Sequence, residues 1–145
     1  MFLLTTPYLR KGFSLIEILV AIAIIAMIAV TLGPYALNEY KKSQVKSAKL
    51  KVKELQASIE FYEMDVGKLP EQLADLTTKP SDSEAAKNWG GPYIKGVKGT
   101  PKDPWGTPYQ YLLTSGGGDH PYELYSYGPK RRSAPQSEWI SVWDL

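Results

Sequence analysis

The stretch from Leu15 to Leu32 constrains this chain more than any other. Its 18 residues hold only two polar side chains, Glu17 and Thr31. A run of that length reaches the lower bound for a helix that crosses hydrocarbon, about 17–25 residues. A helix that is apolar all round has no face to offer water, so lipid or other helices are its expected surroundings. No Gly or Pro interrupts the run before Gly33-Pro34. Pro34 lacks an amide hydrogen and crowds the carbonyl four residues back. A helix break at Gly33 and Pro34, as a kink or local melting, is therefore predicted.

Beyond Pro34 the pattern is helical again but one-sided. Val45, Ala48, Val52, Leu55, Ile59 and Tyr62 recur at spacings of three and four, which makes one narrow apolar stripe. Six lysines fall between Lys41 and Lys53. They read as a solvated helix face or, more sharply, as a surface that pairs with acidic groups on a neighbouring subunit; the solvated face is the simpler reading. Gly67 stands where a left-handed cap is usual, and Pro70 prevents resumption. The expected helix runs from Phe13 to Val66.

The remainder is rich in turns. Leu69, Leu73 and Leu76 suggest a short helix from Glu71 to Leu76. Trp89-Gly90-Gly91-Pro92-Tyr93 and Pro101-Lys102-Asp103-Pro104-Trp105-Gly106 are turn-forming. Tyr109–Leu113 and Tyr122–Tyr127 read as strands joined by a Gly-rich hairpin, and Trp139–Trp143 as a third. The fold class is α+β: a long N-terminal helix, its first half transmembrane, with a small antiparallel sheet packed on its second half. At 145 residues the chain has room for one modest domain.

The residues ahead of the apolar run carry the most specific signal. Lys11-Gly12-Phe13-Ser14-Leu15-Ile16-Glu17 resembles the type IV prepilin signal, in which a short basic leader ends in glycine, phenylalanine follows, and glutamate is the fifth residue after the cut. The resemblance implies that a membrane peptidase cleaves between Gly12 and Phe13 and methylates the new amino terminus, making Phe13 N-methylphenylalanine. Glu17 also has its own physical logic. A carboxylate inside an apolar span costs a few kcal/mol and is functional by default. Cleavage supplies a counter-charge, because Phe13 then carries an α-amino group with a pKa near 8. Glu17 and the Phe13 amine are thus assembly candidates, paired within one subunit or between two. A glutamate that merely snorkels to the cytoplasmic surface is the bland alternative.

A second resemblance covers the rest of the chain. Trp89-Gly90-Gly91-Pro92-Tyr93-Ile94-Lys95, Asp103-Pro104-Trp105-Gly106-Thr107-Pro108-Tyr109-Gln110-Tyr111 and Ser126-Tyr127-Gly128-Pro129 resemble the major pseudopilins of type II secretion systems, in the type IV pilin-like superfamily. Gly67-Lys68-Leu69-Pro70 also fits that family's exit from the long helix. The resemblance implies four segments: a cleaved leader over 1–12, a transmembrane and assembly helix over 13–37, its periplasmic half over 38–66, and a periplasmic loop and sheet domain over 67–145. It further implies a homopolymer, a periplasmic filament that supports export of folded proteins. Its implied partners are the prepilin peptidase and methylase, minor pseudopilins, an assembly platform and an ATPase. The subunit would sit in the inner membrane with its amino terminus cytoplasmic. Lys41, Lys42 and Lys46 beyond the span argue for the opposite orientation by the positive-inside rule; the leader and the solvated helix outweigh them.

That family typically binds calcium between its last strands through aspartates near the C-terminus. Here Gly128–Trp139 holds one carboxylate, Glu138, among Lys130, Arg131 and Arg132. Calcium wants six to eight oxygens, so no metal and no cofactor are expected, with Pro129, Pro135, Trp139 and Trp143 holding the loop instead.

Enzyme chemistry is not indicated. His120 is the only histidine and sits in a turn, where an exposed residue is expected. The glycines at 116–118 precede no Lys-Ser/Thr and no helix, so they form no phosphate loop. The strand tyrosines suit a thin core better than base stacking, so no nucleic acid is expected. After loss of Arg10 and Lys11, which supply the net +2, the chain balances at 15 basic against 15 acidic residues.

Three rivals stay open. A surface pilin for adhesion, motility or DNA uptake often carries a C-terminal disulfide loop, and no cysteine is present. A membrane-anchored binding domain would never polymerise. An ordinary signal peptide would cut near Ala21-Ile22-Ala23 or Ala26–Ala29, but those sites lie inside the apolar run and Glu17 would spoil its core. The cleavage reading predicts that Gly12→Val leaves a chain still carrying its 12-residue leader, because a side chain beside the scissile bond obstructs approach. Intact-mass measurement of the membrane fraction checks this, and mature protein in the mutant rules the site out.

Overall fold

The computed structural model describes residues 12–116 and 118–145. They divide into two compact units, one ending at Tyr40 and one covering Lys41–Leu145. A single helix, α1 (Leu15–Val66), contributes to both.

In the first unit α1 exposes its side chains throughout. The one hydroxyl of the run, near its end, is satisfied within the helix: Thr31 Oγ1 donates to the carbonyls of Met27 at 3.2 Å and Ile28 at 3.0 Å. The helix continues through Gly33 and Pro34, so in the subunit these residues make no break. Proline removes one bond, that to the Val30 carbonyl, while the ladder on both sides stays in place. α1 also starts two residues later than Phe13, because the Ser14 carbonyl accepts the amides of Glu17 and Ile18 at 3.1 and 3.2 Å.

In the second unit the expected stripe becomes the core. Ala48, Val52, Leu55, Ile59 and Tyr62 are buried and Val45 is partly buried. A fully buried side chain of this kind contributes about 1.5–3 kcal/mol. Ser58 joins them although it is polar. Its hydroxyl donates back to the Glu54 carbonyl at 2.9 Å, which makes its burial tolerable. Against this stripe lies an antiparallel sheet in the order β1 (Gln110–Leu113), β2 (Tyr122–Ser126), β3 (Ile140–Ser141). Gln110 pairs with Tyr125 and Leu113 with Tyr122; Tyr125 pairs with Ser141. Tyr122 and Leu124 share one face of β2 and pack into the core with Ile140.

Three elements differ from expectation. The helix expected over Glu71–Leu76 is a 3-10 turn, Leu73–Leu76, opened by the Asp75 carboxylate accepting the Gln72 amide at 3.2 Å. A short helix α2 (Ser83–Asn88) was not expected; Asp82 caps it by accepting the amides of Glu84 and Ala85. The third strand spans two residues rather than Trp139–Trp143. Ser141 Oγ takes the Trp143 amide at 3.3 Å and turns the chain into a 3-10 turn, Val142–Asp144.

Loops are fixed by side chains reaching backbone. Trp89 Nε1 donates to the Asp75 carbonyl at 2.8 Å, and the Tyr93 hydroxyl donates to Asp65 at 2.8 Å. A Cβ at Gly91 would lie 2.8 Å from both the Trp89 and Tyr93 rings, so only glycine fits between them. The buried Asp103 carboxylate accepts the amides of Trp105 (3.1 Å) and Thr107 (2.8 Å) and the Ser126 hydroxyl (2.6 Å). Ser126 in turn accepts the Gly128 amide at 3.0 Å. This chain of bonds ties the Asp-Pro-Trp-Gly turn to the end of β2.

Tyr109 is the exception to this satisfaction. Its hydroxyl is buried and meets no hydrogen-bond partner. Burial first, and the nearby Asp103 charge second, push its phenol far above the ordinary range. An unmade buried bond costs about 1–3 kcal/mol. Tyr109→Phe is therefore expected to leave stability unchanged or raise it by about 1 kcal/mol in urea unfolding of the detergent-solubilised protein. A loss of that size would show that the hydroxyl is bonded.

Candidate processing and assembly site

The residues of the expected cleavage site stand clear of the fold. Gly12 and Phe13 are exposed, Phe13 at 78%. A Cβ on Gly12 would meet no neighbour within 4 Å in the subunit, so nothing in the fold itself requires glycine there. Glu17 is exposed in the first turn of α1. Its Oε2 lies 3.4 Å from the Ser14 amide, a weak version of a helix-capping contact. Among the described residues no cation pairs with it. Residues 1–11, and with them Arg10 and Lys11, lie outside the described residues. Phe13 lies just ahead of α1 and Glu17 in its first turn, four residues apart in sequence.

Behind them α1 is the one helix among the described residues that is long and apolar enough to cross a membrane, with mean hydropathy 2.9 in its most apolar window and none of that window buried. Ile16, Leu19, Ile22, Ile25, Met27 and Val30 are all more than half exposed. So large an apolar surface calls for lipid or a partner.

The prokaryotic N-terminal methylation motif matches residues 9–33, across the proposed cut and the apolar helix. The family model of type II secretion system protein G matches residues 35–143. The chain belongs to the type II secretion system protein G family. Curated members similar to it include the type II secretion system core protein G of Pseudomonas aeruginosa, 33% identical over 93% of this chain and 96% of that protein. The core protein G of Xanthomonas campestris is also 33% identical, over 88% of this chain and 85% of that one. The crystal structure of the major pseudopilin from enterohaemorrhagic Escherichia coli shares the fold, with a TM-score of 0.58 and 24% identity over 75% of this chain and 94% of that one. The long helix, the three-stranded sheet and the α+β class agree with it.

One placement departs from expectation for this protein G family member. His120 is not a free turn residue: its ring lies flat on Trp143, with centroids 4.0 Å and planes 5° apart. A four-residue interval between Trp139 and Trp143 gave no hint of a histidine stacked on the second of them. The loop over Gly128–Trp139 is organised by its own side chains. Lys130 pairs with Glu138 at 2.7 Å, its single carboxylate. Trp139 Nε1 donates to the Ala134 carbonyl at 3.1 Å, and its ring stacks on Tyr125 at 4.3 Å. Among the described residues no three His, Asp or Glu side chains converge as metal ligands.

Proposed function

We propose that this chain is a major pseudopilin subunit, held in the inner membrane by α1 with its amino terminus cytoplasmic, and extracted into a periplasmic filament that supports export of folded proteins. The observation that carries the reading is the methylation motif over 9–33 running directly into a protein G domain over 35–143. The names of the relatives support the secretion-system setting. In this reading the prepilin peptidase removes residues 1–12 and methylates Phe13. The subunit is not an enzyme; its work is done by polymerising, with an assembly platform, an ATPase and minor pseudopilins as the expected partners.

The chemistry of assembly follows from α1. As a monomer it exchanges its apolar side chains only with lipid. Outside the bilayer they are buried against copies of the same helix. Glu17 opposes storage in lipid and favours assembly, because the Phe13 amine of a neighbouring subunit neutralises it. Charge-assisted bonds of this kind contribute about 1.5–3 kcal/mol. Glu17→Val is therefore expected to insert and be processed, with the yield of isolated filaments down about tenfold or more. Glu17→Gln, which keeps an oxygen near the Ser14 amide, is expected to behave like Glu17→Val. Normal filaments from either variant would remove the ion pair from the mechanism.

The loop after β2 is proposed to keep its shape without calcium. The Lys130–Glu138 pair and the Trp139 stack support this. A specific ligand at 100 times its dissociation constant would add about 2.7 kcal/mol, several degrees in Tm for a domain of this size. Thermal unfolding with calcium and with chelator is expected to differ by less than that, and a shift of several degrees would restore calcium to the loop.

A further inference from the structure

The outer face of the sheet holds a cavity that filament assembly through α1 does not use. The chain through β3 alternates Trp139, Ser141 and Trp143 on one face, so a small residue separates two indoles. Each indole is backed by a second flat ring: Tyr125 on Trp139 and His120 on Trp143, both with planes 5° apart. The cavity they line measures about 490 Å³. Glu123 and Asp144 also line it, and no Lys or Arg does. Neither carboxylate forms an ion pair among the described residues.

Aromatic faces attract cations, and carboxylates beside them strengthen that attraction. A guanidinium suits both at once, since it is planar, stacks on indole and donates paired hydrogen bonds to a carboxylate. The chain presents such a group elsewhere on its surface. Arginine occurs at three positions, Arg10, Arg131 and Arg132. Arg131 and Arg132 are exposed on a 3-10 turn after β2. Arg131 is the one non-glycine described at positive φ, 55°, a conformation unfavourable for residues with a Cβ. The turn is braced by the Ser133 hydroxyl donating to the Lys130 carbonyl at 2.7 Å and by the Lys130–Glu138 pair. Neither arginine lines the cavity of its own chain; Arg132 lies instead beside Thr100, Pro108 and Gln110. The lysines of α1 fit less well. An ammonium cannot stack or bond in a fork, and Lys46, Lys49 and Lys53 already border a separate hollow with Asp144.

We propose that the Arg131–Arg132 turn of one subunit seats in the Trp139–Trp143 cavity of a second copy of this chain. Donor and acceptor are different patches of one molecule. The contact is therefore heterologous and repeats from copy to copy, as an open filament requires. It rests on the polymerising-subunit reading and adds to it a second, sheet-side contact.

The chain has no cysteine, which makes thiol cross-linking clean. Two differently tagged full-length versions, Ser133→Cys beside the arginines and Leu112→Cys at the exposed lip of the cavity, are co-expressed with the secretion machinery and treated with a short bismaleimide. The expected product joins the two tags, and each version alone gives none. In parallel, Arg131→Ala with Arg132→Ala is expected to lower the yield of isolated filaments about tenfold or more, the effect of losing an arginine hot spot, while membrane insertion and processing persist. Filaments of wild-type yield from the double variant would overturn the contact. So would filaments that form without the mixed cross-link, or in which the Ser133→Cys version cross-links only to itself. If the wild-type chain itself stays monomeric beside its machinery, the assembly reading fails and this contact with it. Filaments with no mixed product sink this contact alone.

Discussion

The second unit depends on one packing contact, that of the Ala48–Tyr62 stripe beneath the sheet. The sheet is small, and neither it nor the helix would be stable alone in water. Two or three short strands need a hydrophobic partner to persist, and a stripe of single-residue width leaves most of the helix surface wet. Each supplies what the other lacks. Because α1 continues from this stripe into the apolar run, the head domain and the membrane segment share one backbone, and the change from one-sided to all-round apolarity happens without a change of element.

So little regular structure leaves many backbone groups to be satisfied by other means. Buried amides and carbonyls are rarely left unpaired, and here side chains take over that duty. Asp103 gathers two amides and a hydroxyl, and the Trp89 indole closes on the Asp75 carbonyl. The Tyr111 hydroxyl reaches the Pro70 carbonyl at 2.9 Å, across 41 residues of sequence. The Asp-Pro-Trp-Gly turn and the Trp-Gly-Gly-Pro-Tyr turn are thus fastenings as much as turns. Their aromatic and acidic members are what hold the loops to the helix and to β2.

Much of this was legible in the residues. The stripe at three-and-four spacing, the cap at Gly67 and the first two strands follow from periodicity and turn chemistry, signals that are local. The methylation motif was legible for another reason, since Gly12, Phe13 and Glu17 form a compact string beside the apolar run. What escaped was non-local. Asp103 reads as a turn residue until β2 brings Ser126 to it. The third strand was overestimated because Trp139, Ser141 and Trp143 alternate as a strand would, while the Ser141 hydroxyl diverts the chain after two residues. In the subunit the helix runs on through Pro34 because the bonds on either side outweigh the one that proline removes.

The sheet's margins carry a further consequence. Both outer strands leave one row of backbone groups without a strand partner, and such rows template unwanted pairing. β3 offers only two residues before its 3-10 turn, and the chain entering β1 is held by the bridge between Lys102 and Pro108 and by the Tyr109 amide donating to the Pro101 carbonyl. A small sheet with open edges is exposed to unwanted pairing with any other copy it meets. Blunted margins suppress cross-β aggregation, so the strand edges are not the surfaces through which copies of the chain meet.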